Sequence, residues 1–492
     1  MSGVEQPSTS PAEFEQVLES AAAAAPALGA MSPGERARLL RAVAAGLRAR
    51  RDELVPLADA DSALGEARLV GEVERTAVQF EMFAEAVEEG SWLEAVIDRA
   101  NPEGPLGPQP DLRRMLVPLG PVAVFGASNF PFAFGLAGGD TASALAAGCP
   151  VVAKVHPAQP RLSGPYAEVV AKSLAAAGAP EGTFGVVSGL ESGRALVMDP
   201  RITAVGFTGS TSGGRALADL AAGRPSPVPF YGELGSLNPV FVTPAAAAAR
   251  GEGIVRDYLA SVGLGAGQFC TKPGLLLVPE DSGMAEIVAA EADTAPVTLL
   301  HDGIGDAYVD GTRALATHPA VRILAGAPEG DGRTVRPVLA RTTIVELAGF
   351  RDELLAERFG PFSLVVTYRD ADELRSAVAL LEGSLTAGVH AAGPDDGDAA
   401  ALLPLLAPLA GRVLWNSWPT GVAVTWAQHH GGPHPSTTSI HTSVGATAMR
   451  RFLRPIAYQS VPDALLPAAL ADANPLGIPR RVDGVLTPEP PA

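Results

Sequence analysis

The stretch Gly267-Gln268-Phe269-Cys270-Thr271-Lys272-Pro273-Gly274 sets one of the chain's two cysteines between glycines, with an aromatic residue before it and Lys-Pro after it. Glycine lets the backbone bend sharply and approach a ligand closely, so a thiol held there can be presented to a substrate. On the octet alone a packed, inert cysteine is the better reading, because free cysteine is among the most buried residue types. The chemistry open to Cys270 is attack of a thiolate on a carbonyl carbon, and it requires two kinds of helper. Hydrogen-bond donors must meet the oxyanion that forms, and a base must activate the water that later releases the product. Asn129, in Ser128-Asn129-Phe130-Pro131, carries an amide that can donate, as can the Cys270 backbone N–H; a turn residue bonded to its own backbone is the plainer alternative. Glu233, in Glu233-Leu234-Gly235, is a carboxylate beside a tight turn, suited to a base and equally to a solvated surface position.

Such groups need a scaffold, and residues 122–222 alternate strand-like and helix-like stretches. Short β-branched runs at 122–125, 151–155, 184–187 and 204–207 are separated by helical patterns at 132–147 and 162–177, which predicts βαβ units and a mainly parallel sheet. Gly206-Phe207-Thr208-Gly209-Ser210-Thr211-Ser212-Gly213-Gly214 joins the fourth run to a helix at 215–222. Free N–H groups and the helix dipole at such a turn suit a pyrophosphate, although the spacing is not G-x-G-x-x-G. Lys154 ends the second run, at the strand terminus where ligands bind in open α/β sheets. After Pro225 a second α/β half carries strand-like runs at 240–242 and 275–278. Residues 11–100 read as helices, with Leu39, Leu40, Val43 and Leu47 at helical spacing and Ser32-Pro33-Gly34-Glu35 as a helix start. A Pro/Gly-rich connector at 101–110 breaks that pattern, and a strand-like run at 451–459 follows a tail punctuated by Pro and Gly.

Composition bounds the function. At 492 residues and 47% hydrophobic content, the chain is too long for one core and suggests about three packed units. A net charge of −18 argues against a nucleic-acid groove or an anionic membrane surface as partner. Two cysteines can form at most one bridge, which favours reduced thiols in a cytoplasmic compartment. No basic stretch precedes the early alanine run and no apolar span is long enough to cross a bilayer, so export and membrane insertion are not expected. Histidines 429, 430, 434 and 441 lie in a Gly/Pro/Ser/Thr loop, without the spacing of a helical ligand pair and without a nearby cysteine, so no metal site is expected.

Taken together, Ser128-Asn129-Phe130-Pro131, the strand end at Lys154, Phe207-Thr208-Gly209-Ser210-Thr211, Glu233-Leu234-Gly235, Gly267-Gln268-Phe269-Cys270-Thr271, Glu357-Arg358-Phe359-Gly360-Pro361 and Asn416 resemble the aldehyde dehydrogenase superfamily, in its order, over about residues 30–460. The resemblance implies an α/β fold of two Rossmann-type parallel-sheet domains plus an oligomerisation arm. Residues 1–105 and 121–232 would form the dinucleotide-binding domain, 233–449 the catalytic domain, and 106–120 and 450–492 the arm and C-terminal extension. It implies Cys270 as nucleophile, Asn129 as oxyanion donor and Glu233 as base. Lys154, His156, Gly209, Ser210, Gly214, Glu357 and Phe359 would hold the cofactor, and Phe130, Phe134, Phe269, Thr271, Thr425 and Trp426 would line the substrate pocket. The implied reaction is NAD(P)-dependent oxidation of an aldehyde to an acid through a cysteine thiohemiacetal and thioester.

Segments 154–158, 233–241, 430–438 and 451–455 are similar to the branch of the superfamily that oxidises 2,5-dioxopentanoate. A broad-specificity or fatty-aldehyde dehydrogenase is the alternative, and a catalytically silent binding relative a remote one. NADP is expected over NAD, which remains possible, because Pro157 falls where many NAD-preferring relatives carry an acid. The expected partners are a small-molecule aldehyde and further copies of the chain in a homodimer or homotetramer, paired through 111–116 and 451–459. Cys149 matches no catalytic motif and is expected to be structural.

Overall fold

The computed structural model describes residues 7–487. Four helices open it, α1 (Pro11–Ala30), α2 (Pro33–Ala49), α3 (Arg51–Ser62) and α4 (Glu66–Glu89). The start of α2 is written in sequence: the Ser32 side chain accepts from the Glu35 N–H, and the Glu35 carboxylate accepts from the Ser32 N–H at 2.8 Å, with Pro33 at the first helical position.

The first sheet is wholly parallel and contains β3 (Val122–Phe125), β4 (Val151–Lys154), β5 (Phe184–Val187), β6 (Ala204–Thr208) and β7 (Phe230–Glu233), after the short β1 (Val96–Asp98) and β2 (Leu112–Pro118). Its order is β5-β4-β3-β6-β7. From β3 the chain winds outward one way through β4 and β5, then returns to the other side as β6 and β7. The β3/β6 boundary is therefore a topological switch point, where the strand ends leave a crevice for a ligand. The connecting helices α5 (Gly139–Ala147), α6 (Ser163–Ala176), α7 (Leu190–Met198) and α8 (Thr211–Ala222) follow β3, β4, β5 and β6 in turn. One expected helix is shorter than its pattern. Residues 132–138 form turns and only 139–147 are helical. Backbone packs on backbone there: a Cβ at Gly126 would lie 2.6 Å from the Gly135 carbonyl carbon, and one at Gly138 would lie 2.6 Å from that of Ala133.

The second sheet has the order β11-β14-β15-β9-β8-β16-β17. It comprises β8 (Pro239–Val242), β9 (Leu275–Pro279), β11 (Arg322–Gly326), β14 (Val338–Thr343), β15 (Phe362–Tyr368), β16 (Ser384–His390) and β17 (Ala410–Trp415). All pairs are parallel except β11 with β14. Strands β15 and β16 are buried along their whole length, as parallel strands covered on both faces must be. A small sheet of β10 (Val297–Thr298), β12 (Gly330–Asp331) and β13 (Thr334–Val335) sits beside it.

A third sheet runs β18-β2-β1-β19-β20, with β18 (Leu453–Gln459), β19 (Arg480–Val482) and β20 (Val485–Thr487). Strands β2 and β18 pair antiparallel from Leu112↔Gln459 to Pro118↔Leu453. The two segments expected in the arm thus meet each other within one chain. Val96–Asp98, expected in the first domain, joins this third sheet, and Glu233, expected to open the second, is the last residue of β7 in the first sheet.

Candidate active site

Cys270 follows α9 (Pro244–Gly263) and a single 3-10 turn, and its loop is fixed from several sides. Gly267 has φ +68, and a Cβ there would collide with the Gly360 carbonyl, so only glycine meets both demands. Asn238, fully buried, donates through Nδ2 to the carbonyls of Cys270 at 2.8 Å and Lys272 at 2.9 Å. Its Oδ1 accepts from the Ser236 hydroxyl at 2.8 Å. Lys272 is buried, and its Nζ donates to the carbonyls of Arg358, Gly360 and Phe362 at 3.0, 3.1 and 2.7 Å. That ammonium ties the Cys270 loop to the Glu357–Phe359 segment, and burial lowers its pKa while raising that of Glu357 beside it.

Glu233 and His430 complete the centre. The His430 Nε2 lies 3.0 Å from Glu233 Oε1 and 3.5 Å from Cys270 Sγ. The Ser443 hydroxyl donates to Glu233 Oε2 at 2.8 Å. The loop that carries His430 and Ser443 is bound along β7: Leu234 N–H donates to the Ser436 carbonyl at 2.8 Å, and Thr438 N–H to the Gly232 carbonyl at 3.0 Å. The expectation that these histidines have no cysteine nearby is corrected, since 160 residues of chain separate Cys270 and His430 while folding brings them together. Glu233, Cys270 and His430 offer ligand atoms all within 4.8 Å of one another, so they are a potential metal triad as well as a proton-transfer group.

Charge in this cluster is unevenly distributed. Burial pushes the Glu233 carboxyl up, but the charge and hydrogen bond of His430 and the bonds from Ser443 and Cys270 outweigh it, and its pKa is lowered. The Cys270 thiol is pushed well above its usual range by burial first, then by the charges of Glu233 and Glu357, with Arg75 pulling weakly the other way. The surroundings thus oppose ionisation of the thiol and favour that of the carboxylate. Asn129 is buried, and its Nδ2 donates to the Gln268 carbonyl at 3.0 Å, across to the Cys270 loop instead of to its own turn. The second amide hydrogen remains for another acceptor.

A cleft of about 940 Å³ runs from this centre to the switch point of the first sheet. Of the residues expected at the site, Asn129, Phe130, Phe134, His156, Gly209, Ser210, Glu233, Cys270, Glu357 and Phe359 line it. Ser210 caps α8, accepting from the Gly213 N–H at 3.3 Å, so the free N–H groups of the helix start face the cleft. An amide-rich helix start and a buried carboxylate share this groove, an arrangement that suits a dinucleotide. Other expected residues lie outside the lining. Lys154 is part-buried with its stem against Gly193, Gly214 packs under Leu234 and Phe207, and Thr271 is buried in the loop. Phe269 stacks edge-on against Phe130, ring centres 5.1 Å apart. Thr425 and Trp426 are both exposed, and neither is among the residues that line the cleft.

His430, Ser443, Asn238 and Arg215 are missing from the site expected from sequence. Asn238 stands inside the Glu233–Pro239 motif immediately before a strand, and His430 opens the 430–438 segment, so both lie in stretches that the sequence singles out. Among the described residues no helix is long and apolar enough to cross a membrane.

Comparison with known proteins agrees with this geometry. The aldehyde dehydrogenase family profile matches residues 4–303. The chain is 46% identical to "Alpha-ketoglutaric semialdehyde dehydrogenase 2" of Azospirillum brasilense, over 96% of this chain and 91% of that protein. It is 43% identical to "Alpha-ketoglutaric semialdehyde dehydrogenase" of Acinetobacter baylyi, over 92% and 87% respectively. Its fold matches the crystal structure of aldehyde dehydrogenase 21 from Physcomitrella patens in complex with succinate, with a TM-score of 0.77 at 21% identity, covering 92% of each chain. With its thiol, carboxylate and amide brought together at one end of a cleft of about 940 Å³, the chain belongs to the aldehyde dehydrogenase family.

Proposed function

We propose that the chain oxidises 2,5-dioxopentanoate to 2-oxoglutarate, with Cys270 as nucleophile, Glu233 as base and Asn129 as oxyanion donor. The convergence of Cys270, His430 and Glu233 carries the chemical part of this reading, and the names of two relatives above 40% identity support the substrate. The thiol proton passes to the Glu233 carboxylate, whose Oε1 is held by the His430 Nε2–H at 3.0 Å, and goes on to solvent before the hydrolytic step. The thiolate adds to the aldehyde carbon, and the oxyanion is met by the Asn129 amide and the Cys270 N–H. A bound nicotinamide dinucleotide supplies the acceptor for the hydride that leaves the thiohemiacetal. The acyl group then remains on Cys270 as a thioester. Glu233 removes a proton from water, the hydroxide adds to the thioester carbonyl, and the thiolate leaves as the acid is released.

The reading includes preference for NADP. Pro157 leaves no carboxylate to repel a 2′-phosphate, and Lys154 at the end of β4 and the exposed Arg215 in the cleft supply positive charge. His156 does not: burial, then the Lys154 charge, hold its pKa down at about 3, and its Nδ1 accepts from the Ala158 N–H at 3.1 Å. The reading also includes a homo-oligomer in a reducing, cytoplasmic setting, supported by two unbridged cysteines and by edge strands with one side unpaired among the described residues. The test is kcat/KM for 2,5-dioxopentanoate, succinate semialdehyde, hexanal and dodecanal, each with NADP and NAD. The dioxo acid with NADP should rank first. If hexanal or dodecanal matches it, a broad-specificity enzyme replaces this reading, and parity with NAD removes the cofactor preference.

A further inference from the structure

Two arginines on α4 stand behind the aromatic wall of the cleft without the partners that buried guanidinium groups require. Arg75 donates no hydrogen bond and forms no ion pair among the described residues, and its Nε and Nη2 are inaccessible to solvent and unpartnered. Arg68 makes one bond, from Nη2 to the Asn129 carbonyl at 2.7 Å, and its Nη1 is buried and unpartnered. The two lie two turns apart and project from one helix face. Arg68 lies over the rings of Phe130 and Phe269 at 4.9 and 5.0 Å, and Arg75 over Phe134 at 5.7 Å. Phe130 and Phe134 line the cleft beside Cys270.

Glu72, on the same face between them, makes no hydrogen bond or ion pair to either arginine among the described residues. Its Oε1 accepts from the N–H groups of Phe132 and Ala133 at 2.8 and 3.1 Å, its Oε2 has no hydrogen bond, and burial raises its pKa to about 7. Arg412, a further guanidinium near the thiol, spends both terminal nitrogens on the carbonyls of Pro419 at 2.8 Å and Gly421 at 2.6 Å, and among the described residues only its Nε is left without a partner. Buried donors left without acceptors are costly, and an arginine fork matches a carboxylate in shape and charge.

Building on the proposed oxidation of a carboxylated aldehyde, we infer that Arg75, with Arg68 beside it, receives the remote carboxylate of the substrate while Phe130 and Phe134, which line the cleft, enclose its carbon chain. The aromatic collar fits the methylene carbons, and the guanidinium donors reward only an aldehyde with an anionic far end. The two arginines therefore set specificity, whereas Cys270, Glu233 and Asn129 do the chemistry.

The test uses the full chain and the ratio of kcat/KM for 2,5-dioxopentanoate to that for pentanal, which has the same carbon count and no carboxylate. Arg75→Leu should lower this ratio about tenfold to a hundredfold, Arg68→Leu should lower it less, and Arg75→Lys should restore part of it. In a second measurement, 2-oxoglutarate should slow iodoacetamide alkylation of Cys270 in the parent chain and lose that protection in Arg75→Leu. If the parent strongly prefers the dioxo acid and both leucine variants keep the same ratio and protection, the arginine assignment is overturned while the substrate stands. A parent ratio near one instead removes the proposed substrate. Should Arg75→Leu fail to fold, the decision passes to Arg75→Lys, which keeps charge but loses the fork, and an unchanged ratio there overturns the assignment equally.

Discussion

The proton on Cys270 is the first obstacle to its reactivity. Burial and two neighbouring carboxylates raise the thiol pKa well above its ordinary value, so little thiolate exists near neutrality and more appears as pH rises. Iodoacetamide alkylation of Cys270 should therefore climb through pH 9 without levelling near 7; a plateau below pH 7 would show a resting thiolate. Replacing His430 by Leu removes the N–H that holds Glu233 Oε1 at 3.0 Å beside the sulfur, and turnover at pH 7.5 should fall at least about tenfold. Cys270→Ala should abolish oxidation while dinucleotide binding, measured by fluorescence or calorimetry, persists on other elements. Glu233→Gln should slow thioester hydrolysis most, so that a burst of one reduced cofactor per active site precedes a slow steady state. Mass spectrometry that finds the trapped acyl group on Cys149 would sink the assignment, which the burial of Cys149 already argues against.

Elements position these groups through loops held by hydrogen bonds more than through rigid strands. Asn238 joins the end of β7, the Cys270 loop and β16, since its Oδ1 also accepts from the Thr386 hydroxyl at 3.1 Å. Asn238→Ala leaves several buried groups without partners and should cost about 3 kcal/mol of stability, read as a fall in urea midpoint, with kcat reduced as the nucleophile loosens. Gly267→Ala forces a side chain into a positive-φ position against the Gly360 carbonyl and should destabilise by about 1 to 3 kcal/mol. A stability loss in Gly267→Ala below a few tenths of a kcal/mol would mean that the loop relaxes at no cost.

At the scale of the molecule, the third sheet joins residues from both ends of the chain and leaves β18 on its edge with mostly exposed side chains. The seven-stranded sheet ends on β17, where Val413 and Trp415 are exposed. Long unpaired edges with exposed apolar residues invite pairing with another copy. Light scattering at micromolar concentration should give a mass at least twice 50.2 kDa. A mass equal to that of one chain would count against self-association.

Sequence by itself determined what local chemistry encodes. The β-branched runs became β3 to β6 with ends displaced by no more than a residue, the capping box of Ser32 and Glu35 formed, and the glycine turn before α8 opened onto the cleft. These follow from φ/ψ preference, capping and burial, which act over a few residues. Tertiary structure alone decided the rest. His430 meets Glu233 across 197 residues because its loop is bound along β7, and no periodicity encodes that contact. Residues 132–138 gave up a helical pattern because backbone had to pack against Gly126, Gly135 and Gly138. Packing against Phe130 and Phe134 takes nitrogens of Arg68 and Arg75 out of water, and no local pattern encodes this, since burial of a charge is a property of what surrounds it and not of its own neighbours in the chain.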